Sequence, residues 1–132
     1  TTVTGVPVEI HTYSVTDRIQ SEQLLEARDL ILQAAGEFPG ELPVDRYTFL
    51  FHFEGKNPMS GAWEHSYSSE YVLPEGDLSE RYANMISDIA AHEFFHVVTP
   101  LHIHSEVIEN FNFETPVPSE HLRLYEGVTD WA

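Results

Sequence analysis

The sequence predicts an α+β domain in which helices pack against a small antiparallel sheet. Two runs alternate as strands do, TTVTGVPVEIHTY at 1–13 and YTFLFHF at 47–53. Two others repeat apolar residues at helical spacing, 21–36 and 78–98. The mixed order of these elements along the chain is the third observation.

The first run is rich in β-branched residues and reads as one strand over 1–13. Ser21 caps the first helical run, and Gly36 ends it. Pro39 to Pro43 (PGELP) marks a turn before the aromatic strand at 47–53. Residues 56–61 (KNPMSG) read as loop, and a further extended run at 62–72 (AWEHSYSSEYV) is expected to pair with the strand at 47–53 as a hairpin. A long helix over 78–98 begins near Asp77 or Ser79. Residues 99–121 are loop-rich, with Pro100, Pro116 and Pro118, and a last helix is expected within 120–132.

At 132 residues the chain fits one domain with a real core. Its formal charge of −16 disfavours nucleic acid and anionic membrane as partners and favours cations, a metal ion or a free amine among them. With no cysteine, any metal must take nitrogen and oxygen donors. No apolar run approaches the roughly 18 residues a membrane span needs, and no signal peptide is visible. The chain starts Thr-Thr-Val-Thr without Met and stops in mid-pattern at Gly127-Val128-Thr129-Asp130-Trp131-Ala132, so it is expected to be a piece of something longer.

The chemistry sits in AAHEFFHVV. On a helix His92 and His96 are about one turn apart, so both rings leave the same face and can grip one ion. Glu93 is placed to act as general base. This is the HExxH arrangement of metal-assisted hydrolysis, but in a chain with eight His the pentapeptide needs context. A catalytic zinc asks for a third protein ligand. Glu126, thirty positions beyond His96, is the first choice, with His102 and His104 as its competitors. If Glu126 binds metal, Asp130 falls on the same helix face and can accept a hydrogen bond from the outer nitrogen of His92.

Three stretches together resemble the glycyl aminopeptidase family of zinc metallopeptidases, in the gluzincin group that includes thermolysin. They are Gly61-Ala62-Trp63-Glu64-His65, His92-Glu93-Phe94-Phe95-His96 and Tyr125-Glu126-Gly127-Val128-Thr129, and their order and spacing match over about half of the chain. The resemblance implies a zincin-like, thermolysin-like catalytic core, incomplete at its C-terminus, in which 1–132 is a single partial domain. It implies Zn2+ held by His92, His96 and Glu126, with Glu93 activating water. It also implies that the element with Gly61 and Ala62 lines the substrate and that Glu64 holds a peptide's α-amine. Anchoring the amine would place the first peptide bond over the metal and make cleavage stepwise.

Two departures stand out. Val97-Val98-Thr99-Pro100 follows HEFFH where the family often continues Trp-Asn and a basic stretch. The oxyanion-stabilising Tyr or His that gluzincins supply is expected beyond residue 132, as are downstream domains.

The function expected is zinc-dependent aminopeptidase action on peptides with a free amino terminus, in a soluble protein whose compartment the sequence leaves open, secretion or the periplasm being options at full length. The alternatives are a zinc endopeptidase on the same ligands and a metal- or protein-binding fragment without turnover.

Overall fold

Gly5 divides the first alternating run. At φ 90° it takes a conformation that residues with a side chain rarely adopt, and it turns the chain between β1 (Thr2–Val3) and β2 (Val6–Ser14). These strands pair antiparallel, with Val3 opposite Val6, so the single strand expected over 1–13 is a short strand folded back on a longer one. The structure, a computed structural model, describes residues 2–3, 5–24, 43–55, 59–97, 101–106, 110, 112, 114–115, 118 and 120–131. Ser21–Leu24 forms a 3-10 turn with Leu24 buried, and the rest of the helix expected to Gly36 lies outside the described residues.

Period-two alternation sets the faces of the sheet. In β3 (Tyr47–Glu54) Tyr47, Phe49, Phe51 and Phe53 are buried, while Leu50 faces out. β4 (Gly61–His65) and β5 (Ser68–Pro74) follow, and the five strands lie in the order β1-β2-β3-β5-β4.

The sheet is mixed, which corrects the antiparallel expectation. β1 with β2 and β4 with β5 pair antiparallel, but β2, β3 and β5 run parallel, with Val8 opposite Tyr47 and Thr48 opposite Ser68. The run 62–72, expected to fold onto 47–53, folds on itself at Ser66 and Tyr67 instead. The chain reverses before β4 and again after it, so β5 regains the direction of β3 and inserts between β3 and β4. The α+β class stands.

α1 (Glu80–Phe95) starts where the Ser79 hydroxyl accepts the Tyr82 N–H, with Glu80 in its first turn. It spans the core of the helix expected over 78–98 and buries Ile86, Ala90 and Phe94, four residues apart, against the sheet. The Phe94 ring meets Tyr47 edge-on at 4.9 Å and stacks with Phe49 at 6.0 Å. Burying that ring contributes about 1.5–3 kcal/mol. α2 (Leu122–Trp131) lies within the segment expected to be helical and packs on α1 through buried Tyr125 and Thr129. Its Tyr125 hydroxyl accepts the Ser105 N–H at 2.7 Å. Among the described residues no helix is long and apolar enough to cross a membrane.

Candidate metal centre

α1 and α2 bring three donors to one point. His92 and His96 leave the same face of α1 with their Nε2 atoms 3.1 Å apart. Glu126 on α2 sets Oε2 3.2 Å from His92 Nε2 and 3.8 Å from His96 Nε2. Donors about 2.0–2.1 Å from a tetrahedral zinc stand about 3.3 Å from one another, and the three separations straddle that value.

The outer nitrogens explain why the inner ones converge. Asp130 Oδ1 lies 2.8 Å from His92 Nδ1, and a carboxylate only accepts, so the proton of the neutral ring sits on Nδ1. Thr129 donates its hydroxyl proton to the Tyr125 carbonyl at 2.8 Å, which turns its lone pairs to His96 Nδ1 at 3.4 Å. Both Nε2 atoms then present lone pairs to each other and to a carboxylate. Three acceptors within 3.8 Å repel unless a cation lies among them, so the donor set fits a metal ion. Neighbouring residues of one helix, Thr129 and Asp130, thus orient the two imidazoles. Asp130 was legible as the residue four after Glu126. Thr129 was missed, since a hydroxyl in EGVT carries no ligand signature, although its spacing from Tyr125 marks it as inward-facing.

Glu93 lies behind this set. It is buried, and Glu64, Glu93 and His96 each offer a ligand-type atom within 4.8 Å of the others. Burial pushes the Glu93 carboxyl above its ordinary range; the imidazole of His96 opposes this, the Glu64 carboxylate adds to it, and His92 and Glu126 contribute smaller effects of each sign. Glu64 arrives from β4, where alternation turns it and Ala62 inward, opposite Ser69 and Tyr71 of β5. Gly61 and Trp63 face the other way. A Cβ on Gly61 would come within 3.2 Å of the Trp63 indole, so glycine lets that ring lie against the strand. Gly61 can therefore meet a ligand on the helix side through its backbone alone.

The rival ligands lie elsewhere. The His102 ring Nδ1–H donates to the Val97 carbonyl at the end of α1, and His104 is exposed. Among the described residues the groups able to hold a metal are His92, His96 and Glu126, and Glu64, Glu93 and His96.

Residues 85–132 match the family model of the M61 glycyl aminopeptidases. Over this stretch, about a third of the chain, the sequence is similar to that family. The M61 match takes in His92, Glu93, His96, Glu126 and Asp130, and stops short of the GAWEH strand. The fold is similar to that of an aminopeptidase N family protein from Idiomarina loihiensis, at a TM-score of 0.63 and 20% identity. That likeness covers 98% of this chain and 23% of the other. No curated protein matches the chain.

Proposed function

We propose that the chain carries the zinc site and the amine-binding strand of an aminopeptidase. The observation that supports this most is the convergence of two oriented imidazoles and the Glu126 carboxylate, with Glu93 and Glu64 side by side behind them. His92, His96 and Glu126 would hold the ion. Zinc bound there would supply Lewis-acid chemistry, lowering the pKa of a water to about 7 and polarising a scissile carbonyl.

The chain's own residues do the rest. Glu93 takes a proton from the attacking water at its carboxylate and passes it to the leaving amine, a role suited to a carboxyl whose affinity for protons is raised. Among the described residues β4 is the outer strand of the sheet, so an extended peptide can lie along its outer side. Glu64, turned inward from that strand, meets the peptide's ammonium. Glu93 lies close enough to add to the attraction. Asp130 and Thr129 keep the imidazoles aimed.

The amine anchor separates an aminopeptidase from an endopeptidase. Replacement of Glu64 by Ala is expected to lower kcat/KM for free-amine peptides by roughly tenfold to a thousandfold, with zinc content unchanged and N-acetylated peptides as control. An unaltered preference between free and acetylated peptides would move the assignment to endopeptidase.

A further inference from the structure

The last turn of α1 meets the sheet through three buried hydroxyls. Tyr47, at the start of β3, donates its hydroxyl to the Glu93 carbonyl at 3.4 Å. Tyr71 of β5 lies with its hydroxyl 3.3 Å from the Ala90 carbonyl and 2.6 Å from the Ser69 hydroxyl. Ser69 in turn hydrogen-bonds Tyr47. None of the three residues is more than 1% exposed.

The protons can be placed. A carbonyl only accepts, so the Tyr47 proton points up into the helix, the Ser69 proton goes to the Tyr47 oxygen, and the Tyr71 proton is shared between the Ser69 oxygen at 2.6 Å and the Ala90 carbonyl at 3.3 Å. The Glu93 carbonyl needs this, because it belongs to the last turn, where a helix runs out of internal donors. The His96 N–H returns to the His92 carbonyl at 3.3 Å, and the Val97 N–H turns to the Phe94 carbonyl at 3.1 Å. The donor that an extra turn would have given Glu93 therefore goes to its neighbour. Tyr47 stands in for it.

Register links the same hydroxyls to the other side of the site. Ser69 is the cross-strand partner of Glu64, and Tyr71 that of Ala62. We propose that Tyr47, Ser69 and Tyr71 are positioning residues, which hang the last turn of α1 from β3 and β5 so that Glu93 and the two histidines keep a fixed place opposite Glu64. The inference rests on the metal-centre reading for its purpose, and on the hydrogen bonds alone for its mechanics.

A tyrosine that merely fills the core is replaced by phenylalanine without effect on the helix end, since the ring is kept. Tyr47→Phe and Tyr71→Phe in the 132-residue chain therefore isolate the hydroxyls. In Tyr47→Phe, amide hydrogen exchange at residues 93–97 is expected to quicken about fivefold in the metal-free chain, with residues 83–88 unchanged. Zinc affinity, read by competition with a chelator, is expected to weaken by roughly threefold to tenfold, and the visible absorption of bound Co2+ to shift as the ligand set loosens. Phe53→Leu is the control, since Phe53 is buried at the far end of β3 and touches neither carbonyl. Wild-type exchange and affinity in Tyr47→Phe, or equal changes in Phe53→Leu, would overturn the proposal. A wild-type chain that binds no zinc would remove the metal-centre reading with it, while faster exchange at 93–97 would still establish the anchor.

Discussion

Asp130 offers the sharpest test of the site, because its contribution can be worked out from two opposing observations. Its contact with His92 Nδ1 is 2.8 Å, the length of a full charge-assisted hydrogen bond. Loss of such an outer partner generally weakens metal binding by roughly tenfold to a hundredfold. Yet the Asp130 side chain is 73% exposed, so water can replace it and screens its charge. The lower end applies, and Asp130→Ala is expected to weaken zinc binding about tenfold, or about 1.4 kcal/mol. Asp130→Asn keeps an acceptor and loses the charge, so it should fall between Ala and wild type. Competition between the 132-residue chain and a fluorescent chelator at pH 7.5 reads the affinities, with circular dichroism checking that α2 stays helical. If Asp130→Ala binds zinc as tightly as wild type while Glu126→Ala does not, the proton on His92 Nδ1 is held by something other than Asp130, and the orienting argument fails.

Three further outcomes are expected. Glu126→Ala should lose zinc at concentrations that saturate wild type, whereas retention there with loss in His102→Ala or His104→Ala would reassign the third ligand. Glu93→Gln should keep its zinc and lower peptide turnover by roughly a hundredfold or more, in any chain length that turns peptides over; turnover near wild type would end its role as base. Burial holds the phenols of Tyr47 and Tyr71 well above their ordinary range. A folded pKa above the unfolded one leaves stability intact below about pH 10 and removes it as pH rises further, by about 1.4 kcal/mol per pH unit for each tyrosine. Alkaline unfolding should therefore be steep above pH 10, and shallower in Tyr47→Phe; equal slopes would contradict the burial argument.

What was legible in the sequence was local. The Ser79 cap and the spacing of Ile86, Ala90 and Phe94 announce α1, and the same periodicity puts His92 beside His96. Four-residue spacing on α2 links Glu126 to Asp130 in the same way. Strand direction was not legible, because it depends on which strand inserts where. Nothing in Tyr47–Glu54 or Ser68–Pro74 states that they are neighbours, and the turn at Ser66 and Tyr67 lacks the Gly or Asn that ordinarily marks a two-residue hairpin. Tyr47 and Tyr71 read as core aromatics, which they are. Their hydroxyls acquire a second task only when α1 is laid across them.

The mixed sheet is also what makes Glu64 available to the site. Had the run 62–72 formed one strand against β3, that strand would itself be outermost, and Glu64 would lie one strand closer to the middle of the sheet. With β5 inserted, β4 becomes the outer strand, and its register against β5 decides which residue meets α1. Glu64 opposite Ser69 and Ala62 opposite Tyr71 both face the helix, while Trp63 opposite Glu70 faces away. A slip of one residue would exchange these faces, burying the Trp63 indole beside Glu93 and exposing Glu64. Small and large residues guard against the slip. Ala62 fits the packed inner face, and Gly61 leaves room for the indole outside, where an added Cβ would press on it at 3.2 Å. The pattern GAWEH is therefore a register device as much as the binding element proposed for it, and the inward carboxylate is its product.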